Sequence, residues 1–422
     1  MEALVQLATA AFRPDLRAAT QFHCHLFHAG SDAWGEPAGA RTWDRHRAPG
    51  YWSGTTSLDK RPALLDKRDQ LSKTLIYFTL IRYTLKEYPV HQEPLREKTA
   101  MSNFIERLYS SDESAVCYKT RVYLFDENPA TPEAQELQDA IKTSERVRCL
   151  LAGRDEHGRL PSPPYSKWYG AHWMLVALAD LDYPPGDETL IPLREQVYEW
   201  LFSDSRLRSI KQYTIAGRVR MCASMEGNAI FALLKLSPAD ERVEHLVERL
   251  LAWQWPDGGW NCDKKRQAHV SSFTETLLPL RALNLYSRST GHQEAREASE
   301  RAAEYFLRHH LFKRLSDGTL ITDDFLKLFY PYYWHYNTLF GLKVLAEVGH
   351  IDDPRCREAL SILDAKCLPD GGYPAEKKYY RVAEQMSNGC SPVDWGGTST
   401  KHMNPFVTVE ALSVLKRATL GR

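Results

Sequence analysis

The 422-residue sequence has no excess of charge of either sign. Lysine and arginine together number 54, as do aspartate and glutamate, so the formal net charge is zero. A chain that binds nucleic acid or an anionic membrane surface through electrostatics usually carries a basic excess. We therefore expect neither kind of partner, and the sequence leaves the oligomeric state open.

The sequence also lacks paired cysteines, a leader-like start and long apolar runs. None of the eight cysteines belongs to a CxxC pair, so we expect reduced thiols rather than a disulfide framework. Met1 to Arg17 show no basic segment followed by an apolar one. Apolar runs such as Met174 to Leu181 are too short to cross a bilayer. These absences predict a cytoplasmic protein without a transmembrane segment.

The first hundred residues differ in composition from the rest. Residues 29–62 are rich in Gly, Pro, Ser and charged residues and show no sustained period, which is typical of irregular chain. Leu71 to Leu85 has apolar residues at helical spacing. We predict an N-terminal extension over residues 1–100, partly irregular with one helix, followed by a helical domain over 101–422.

A repeated unit occupies residues 145–420, the core of that domain. An Asp-Gly turn, absent from one copy, precedes a Trp- and Tyr-rich loop and then an apolar helix, and copies recur about every 50–60 residues. The apolar helices are predicted at Trp173–Leu181, Gly227–Leu236, Thr276–Tyr286, Tyr336–Val348 and Val407–Leu415.

Polar amphipathic helices lie between these copies. They are predicted at Pro192–Phe202, Ala239–Trp253, Gln293–Leu311 and Asp353–Lys366. An apolar helix must be enclosed, whereas its partner can face solvent on one side. Two concentric layers satisfy both, so the sequence predicts an all-α fold in which helical hairpins close into an (α/α) toroid.

One segment carries a specific resemblance. Trp253-Gln254-Trp255-Pro256-Asp257-Gly258-Gly259-Trp260 resembles the QW repeat of squalene and oxidosqualene cyclases, and Cys367 to Tyr373 is a weaker match. Ser271 to Leu283 is similar to the helix that follows such a turn in cyclases and in prenyltransferase β-subunits. The resemblance, over about residues 145–420, implies the terpenoid-cyclase and protein-prenyltransferase toroid superfamily with its central cavity.

Two signatures of that superfamily are missing, since the sequence contains neither DxDD nor DDxxD. The resemblance therefore implies a divergent member. We expect an enzyme that acts on an isoprenoid or other small apolar substrate in a central cavity, by acid/base chemistry with aromatic stabilisation.

Protein prenyltransferases bind zinc through Asp, Cys and His, and this chain offers two groups of those residue types. They are Cys262, Asp263 and His269, and Cys390, Asp394 and His402. Neither spacing matches an established zinc pattern. We predict no metal site and no cofactor, and zinc stays the open alternative.

Inner helices of such a ring run parallel, so their amino-terminal ends meet at one mouth, where free N–H groups favour acceptors. We predict the catalytic residues among the polar side chains at these helix starts: Asp394, Glu275, Glu226, His335 and His172. A carboxylic acid among aromatic walls would have a raised pKa, which suits proton donation with a histidine as partner.

Aromatic and amide side chains in the same loops are predicted to bind the substrate. They are Trp168, Trp173, Asn228, Phe273, Tyr332, Trp334, Tyr336, Trp395 and Asn404. Aromatic faces stabilise a carbocation or hold a prenyl chain, although packing between helix and loop is the simpler role for any one of them. Glu275 also has the spacing from Ser272 of a helix capping box.

Two other functions fit the same scaffold. A carbohydrate-active enzyme on a double helical ring would show paired carboxylates across a groove. A non-catalytic toroid that binds lipid or protein would have its carboxylates tied into helix caps.

Overall fold

The computed structural model describes residues 100–237 and 240–420. Almost all of the predicted extension over residues 1–100, including the helix at Leu71–Leu85, lies outside that part. Within it there are fourteen α-helices, so the all-α prediction is confirmed. In chain order these are α1 Ala100–Tyr109, α2 Ser114–Lys119, α3 Pro132–Ile141, α4 Glu145–Leu151, α5 Ala171–Asp180, α6 Ile191–Leu201, α7 Asp204–Gln212, α8 Ala223–Leu236, α9 Glu241–Trp253, α10 Phe273–Thr290, α11 Gln293–Arg308, α12 Thr338–Glu347, α13 Arg357–Asp364 and α14 Pro405–Leu420.

Strand structure in the described part is limited to four two-residue pieces. Thr214–Ile215 (β1) pairs antiparallel with Arg218–Val219 (β2). Arg381–Val382 (β3) pairs parallel with Cys390–Ser391 (β4). Neither pair extends into a larger sheet.

The predicted apolar helices form close to their predicted positions, as α5, α8, α10, α12 and α14. All ten residues of α5 are buried. The longest, α10, begins where the Ser272 hydroxyl accepts a hydrogen bond from the Glu275 N–H, and it ends at Gly291 in the left-handed conformation. These ends follow the usual chemistry of helix caps.

The predicted polar helices also form, as α6, α9, α11 and α13. In α9 the buried residues Val243, Leu246, Val247 and Leu250 recur at helical spacing, so a single face is apolar. Residues 132–151 form two helices, α3 and α4, rather than one continuous helix. Ser144 separates them, because its hydroxyl accepts from the Val147 N–H and starts a new helix there.

Neighbouring helices pack in a regular order. Helix α5 packs on α8, α8 on α10, α10 on α12 and α12 on α14, which in turn contacts α2. Each amphipathic helix packs on the apolar helix that precedes it, α6 on α5, α9 on α8, α11 on α10 and α13 on α12, and α3 packs on the short α2 in the same way. None of the helices in the described ranges combines the length and apolarity needed to span a bilayer.

Gln254 joins the Asp-Gly turn to a neighbouring amphipathic helix. Its side-chain amide donates to the carbonyls of Gly258 and Ala298, both at 2.8 Å, and its carbonyl accepts from Arg301 at 2.9 Å. Gly258 has φ of 97°, and a Cβ there would stand 2.4 Å from the Arg301 carbonyl oxygen. The QW-like segment therefore attaches α11 to the turn between α9 and α10.

Replacing Gln254 should weaken this attachment. We expect Gln254→Ala to lower the free energy of unfolding by about 1–3 kcal/mol, because it removes hydrogen bonds from part-buried carbonyls. Urea unfolding followed by circular dichroism measures the change. Gln267→Ala, at an exposed position, is the control and should stay within about 0.5 kcal/mol of the parent. Equal stability of the two variants would contradict the role of Gln254.

Candidate functional site

A connected set of ion pairs crosses the interior of the described fold, buried at most members and partly exposed at Lys235 and Glu347, and we name it the charge belt. Each apolar helix and the short α2 contribute to it. Its members are Lys119, Asp180, Asp182, Lys235, Arg281, Lys343, Glu347 and Glu410. Nitrogen–oxygen distances between consecutive partners run from 2.5 to 3.9 Å.

Glu410 lies between two lysines of the charge belt. Lys119 Nζ is 2.7 Å from one carboxylate oxygen and Lys343 Nζ is 2.5 Å from the other. Burial alone would raise the pKa of Glu410, but the two ammonium groups outweigh burial and bring the pKa down to about 2. Glu410 is therefore ionised at neutral pH, and it neutralises charges on two other helices.

Arg281 makes the second bridge of the belt. Its guanidinium donates to Asp180 at 2.8 Å and to Glu347 at 2.7 Å, and it lies 3.7 Å from the centre of the Phe231 ring. Burial opposes the charged form, yet Glu347 and Asp180 raise the pKa of Arg281 above its usual range. Helices α5, α10 and α12 are held together by this one side chain.

A cavity of about 390 Å³ lies beside the charge belt. All eight belt residues line it, together with Tyr123, Phe231, Asn284, Ser413, Arg288 and Arg417, among others. Asp180, Lys235 and Glu347 stand at or next to the last residues of their helices. The cavity is thus near the carboxyl ends of the apolar helices, whereas the sequence places the site at their amino ends, and none of the predicted site residues lines it.

The cavity lining carries a positive excess. The belt itself is balanced, with four cationic and four anionic residues, and Arg288 and Arg417 raise the cationic total in the lining to six. Neither arginine forms an ion pair with another described residue, although Arg288 donates to the Glu347 carbonyl at 3.4 Å. Two cationic groups are therefore available to an anion in the cavity.

The predicted acids at the amino ends have protein partners. Glu226 is fully buried and accepts two hydrogen bonds from Arg206, at 2.8 and 2.9 Å. Glu275 accepts from the Ser224 N–H at 2.9 Å. Burial raises the pKa of Glu275, and the nearby Glu226 adds to the increase, while the hydrogen bonds from Ser224 and Cys262 oppose it.

Asp394 lies apart from the other two predicted acids. Its side chain is exposed, and one carboxylate oxygen accepts from the Gly396 N–H at 3.0 Å within a turn. Its backbone carbonyl accepts from Arg146 at 3.0 Å. Glu226 and Glu275 are thus brought close together, and Asp394 is not among the buried groups around them.

The two predicted histidines are held uncharged by their surroundings. His172 donates from its Nε2–H to the Met225 carbonyl at 2.9 Å, and burial lowers its pKa to about 4. His335 stacks between Trp334 and Tyr379, with ring centres 3.8 and 3.4 Å away. Burial, reinforced by nearby lysines, lowers the pKa of His335 to about 3.

The predicted substrate-binding residues fall into two groups. The rings of Phe273 and Tyr336 pack with their centres 4.9 Å apart. The side-chain amides of Asn228 and Asn404 donate hydrogen bonds to backbone carbonyls. These four residues therefore support helix and loop packing. The remaining aromatic residues pack in one mostly buried region, stacked or edge to face, in which Phe329 links the two halves: Trp168, Trp173, Tyr332, Trp334 and Trp395, together with Tyr330 and Tyr333.

Three phenols in that region have no hydrogen-bond partner among the described residues. They belong to Tyr330, Tyr332 and Tyr333, each at most 3% exposed. Burial raises the pKa of each, and the charge of Asp180 raises it further. The hydroxyls therefore lie within electrostatic reach of the charge belt, although they do not line the cavity.

Sequence reasoning missed the charge belt, but the sequence contains its signal. Lys235, Arg281, Lys343 and Glu410 are ionisable residues inside otherwise apolar helices. A buried charge is tolerated when it is paired, so several such residues in one domain predict buried ion pairs. Their partners depend on helix order and rotation, which periodicity does not reveal.

Comparison of the chain with models of known protein families finds no match. The curated proteins likewise contain no match to it. The site must therefore be interpreted from its own geometry.

Removing the charge of Glu410 should lower the free energy of unfolding and make it depend less on pH in the acid range. Glu410→Gln removes the nearest counter-charge of Lys119 and of Lys343 and leaves each with one more distant carboxylate, so we expect a loss of about 3–5 kcal/mol at pH 7. Because the folded pKa, about 2, lies below the usual 4.5, the ionised group stabilises the parent above pH 4.5. That stabilisation disappears as the pH falls toward 2.

Chemical unfolding at several pH values measures both effects. In the variant, the loss of stability between pH 4.5 and 2 should be smaller than in the parent. Glu358→Gln is the control, since this half-exposed residue pairs with Lys313 at the surface, where a pair contributes about 0–1 kcal/mol. A Glu410→Gln variant as stable as that control would show that the belt does not hold the helices.

Proposed function

We propose that the described helices close into a double ring, the α/α toroid arrangement of the terpenoid cyclases and protein prenyltransferases. Packing of each apolar helix on the next, and of α14 on α2, supports an inner ring. The ion pair between Lys119 of α2 and Asp182, just beyond α5, supports the remaining link. The amphipathic helices then make the outer layer.

Within this ring, we propose that the cavity beside the charge belt binds a small polyhydroxylated anion, such as an acidic or phosphorylated sugar. The observation that carries this proposal is the charge of the lining, six cationic against four anionic residues. Arg288 and Arg417 supply the excess, and an arginine recognises carboxylate or phosphate through paired hydrogen bonds.

The remaining lining suits hydroxyl groups better than an isoprenoid chain. Asn284, Ser413 and Tyr123 add neutral polar groups beside the charges of the belt. An apolar chain would remove water from charged groups without replacing its hydrogen bonds, which is costly. A sugar hydroxyl can donate to a carboxylate and accept from an ammonium group, so this proposal is closest to the carbohydrate alternative.

Titration calorimetry tests the cavity with four probes: glucose 6-phosphate, glucuronate, glucose and farnesyl diphosphate. We expect the two anionic sugars to bind and glucose to bind more weakly. Arg417→Gln should weaken the binding of glucose 6-phosphate by about 10- to 150-fold, because a charged hydrogen bond contributes about 1.5–3 kcal/mol.

Arg308→Gln provides the matched control, since Arg308 is exposed at the end of α11 and should leave affinity unchanged. Equal affinity of Arg417→Gln and the parent would remove the cavity assignment. If farnesyl diphosphate binds and the three sugars do not, the result would favour the isoprenoid prediction instead.

A second candidate is the predicted acid/base enzyme acting on an apolar substrate at the aromatic region. Two observations favour it: the three buried phenols without protein partners, and the raised pKa of Glu275, caused first by burial. A carboxylic acid with a raised pKa keeps its proton to higher pH and can donate it to a substrate. Aromatic faces would then stabilise the developing positive charge.

Product analysis by mass spectrometry, with squalene and farnesyl diphosphate as probes, tests this candidate. Glu275→Gln should abolish turnover while the helical circular dichroism spectrum stays unchanged. Glu294→Gln, in the first turn of α11, should turn over like the parent. Full turnover by Glu275→Gln would remove the assignment.

A further inference from the structure

Two thiols and a carboxylate meet where α8 and α10 begin. The sulfur atoms of Cys222 and Cys262 and a carboxylate oxygen of Glu275 all lie within 4.8 Å of one another. Cys262 Sγ is 3.4 Å from Glu275 Oε1. In residues 100–237 and 240–420, no other group of three His, Cys, Asp or Glu side chains brings its ligand atoms this close.

We propose that Cys222, Cys262 and Glu275 bind one divalent metal ion of the zinc type. Zinc accepts thiolate and carboxylate ligands, with bonds of about 2.3 and 2.0–2.2 Å. Two ligand atoms of this group on a tetrahedral ion with such bonds stand about 3.5–3.8 Å apart, so the group can close on zinc with small side-chain movements. Three protein ligands leave the fourth position for water, as in catalytic zinc sites.

Two of the three ligands are fixed by helix starts. Cys222 is the residue immediately before α8. Glu275 stands in the first turn of α10, and its second oxygen accepts from the Ser224 N–H at 2.9 Å. That hydrogen bond orients the carboxylate so that its first oxygen faces Cys262, the role that outer hydrogen bonds play around metal ligands.

The loop that carries Cys262 is held by a buried arginine. Arg220 is 1% exposed, and its guanidinium donates to the carbonyls of Asp263, Arg266 and Ala268 at 2.7, 3.3 and 3.1 Å. These bonds fix the chain directly after Cys262. The thiol is therefore positioned before any ion binds, which lowers the cost of ordering a site.

The charges around the group suit a bound cation. Zinc with two thiolates and one carboxylate carries a net charge of −1, and the cationic Arg206 lies close enough to interact electrostatically with Cys222. Arg206 also forms an ion pair with Glu226, so its charge is shared between Glu226 and the proposed site. The group differs from the sequence candidates, because Asp263 caps a turn and His269 is exposed.

This site and the proton-donor role of Glu275 exclude each other, since a carboxylate bound to zinc does not donate a proton. The metal proposal does not depend on the cavity ligand or on the acid/base candidate. It concerns the amino ends of α8 and α10, and it can be tested without knowing any substrate.

Metal analysis of the full chain, purified under reducing conditions and dialysed against metal-free buffer after zinc loading, measures the stoichiometry. We expect about one zinc ion per chain in the parent and loss of that ion in Cys222→Ser and Cys262→Ser. Glu275→Gln should lower zinc affinity, as should Arg220→Met by about 10- to 100-fold. Cys367→Ser, at an exposed position, and Cys24→Ser, outside the described residues, are the controls and should keep the zinc.

Alkylation of the parent chain is a second test, which does not depend on whether a variant folds. Mass spectrometry after iodoacetamide treatment should show that zinc protects Cys222 and Cys262 and leaves Cys367 reactive. Cobalt substitution should give the visible spectrum of a tetrahedral thiolate site. Zinc that stays in both cysteine variants, absence of protection, or a Cys222–Cys262 disulfide in a chain that takes up no zinc after reduction would each overturn the proposal.

Discussion

The charge belt is the constraint on which the arrangement of the apolar helices depends. Apolar side chains alone allow these helices to slide and rotate, because hydrophobic contact is not directional. Ion pairs are directional: Arg281 must reach Asp180 and Glu347 at once, and Glu410 must reach two lysines. A wrong rotation would leave an unpaired buried charge, which costs several kcal/mol. The belt therefore selects one packing of six helices rather than merely adding stability.

The two ends of the apolar helices provide chemically different environments. At the carboxyl ends of the helices, paired charges and two further arginines surround the cavity. At the amino ends, stacked aromatic rings exclude water, so His172 and His335 stay uncharged. The same burial raises the pKa of Glu275. The proposed anion binding uses the first environment, and the proposed proton transfer or metal binding uses the second.

The turn after α9 shows how the repeat joins its apolar and amphipathic helices. The turn after α9 needs Gly258 in a conformation with positive φ, directly against the Arg301 carbonyl. Gln254 then fastens α11 to this turn, and Trp260 donates to the Leu250 carbonyl at 2.9 Å. The resemblance to QW repeats thus concerns a structural attachment between helices. It carries no information about the chemistry in the interior.

The sequence by itself determined the helices, because periodicity, caps such as Ser272 and turns such as Gly258 act over a few residues. It also placed His172, Glu226 and Glu275 at helix starts. Only the tertiary structure decided which of these groups meet, that Asp394 stands apart, and that the cavity lies at the other end of the helices. The physical reason is that partners such as Lys119 and Glu410 lie 291 residues apart in the chain. Their pairing depends on how helices pack, which local patterns do not encode.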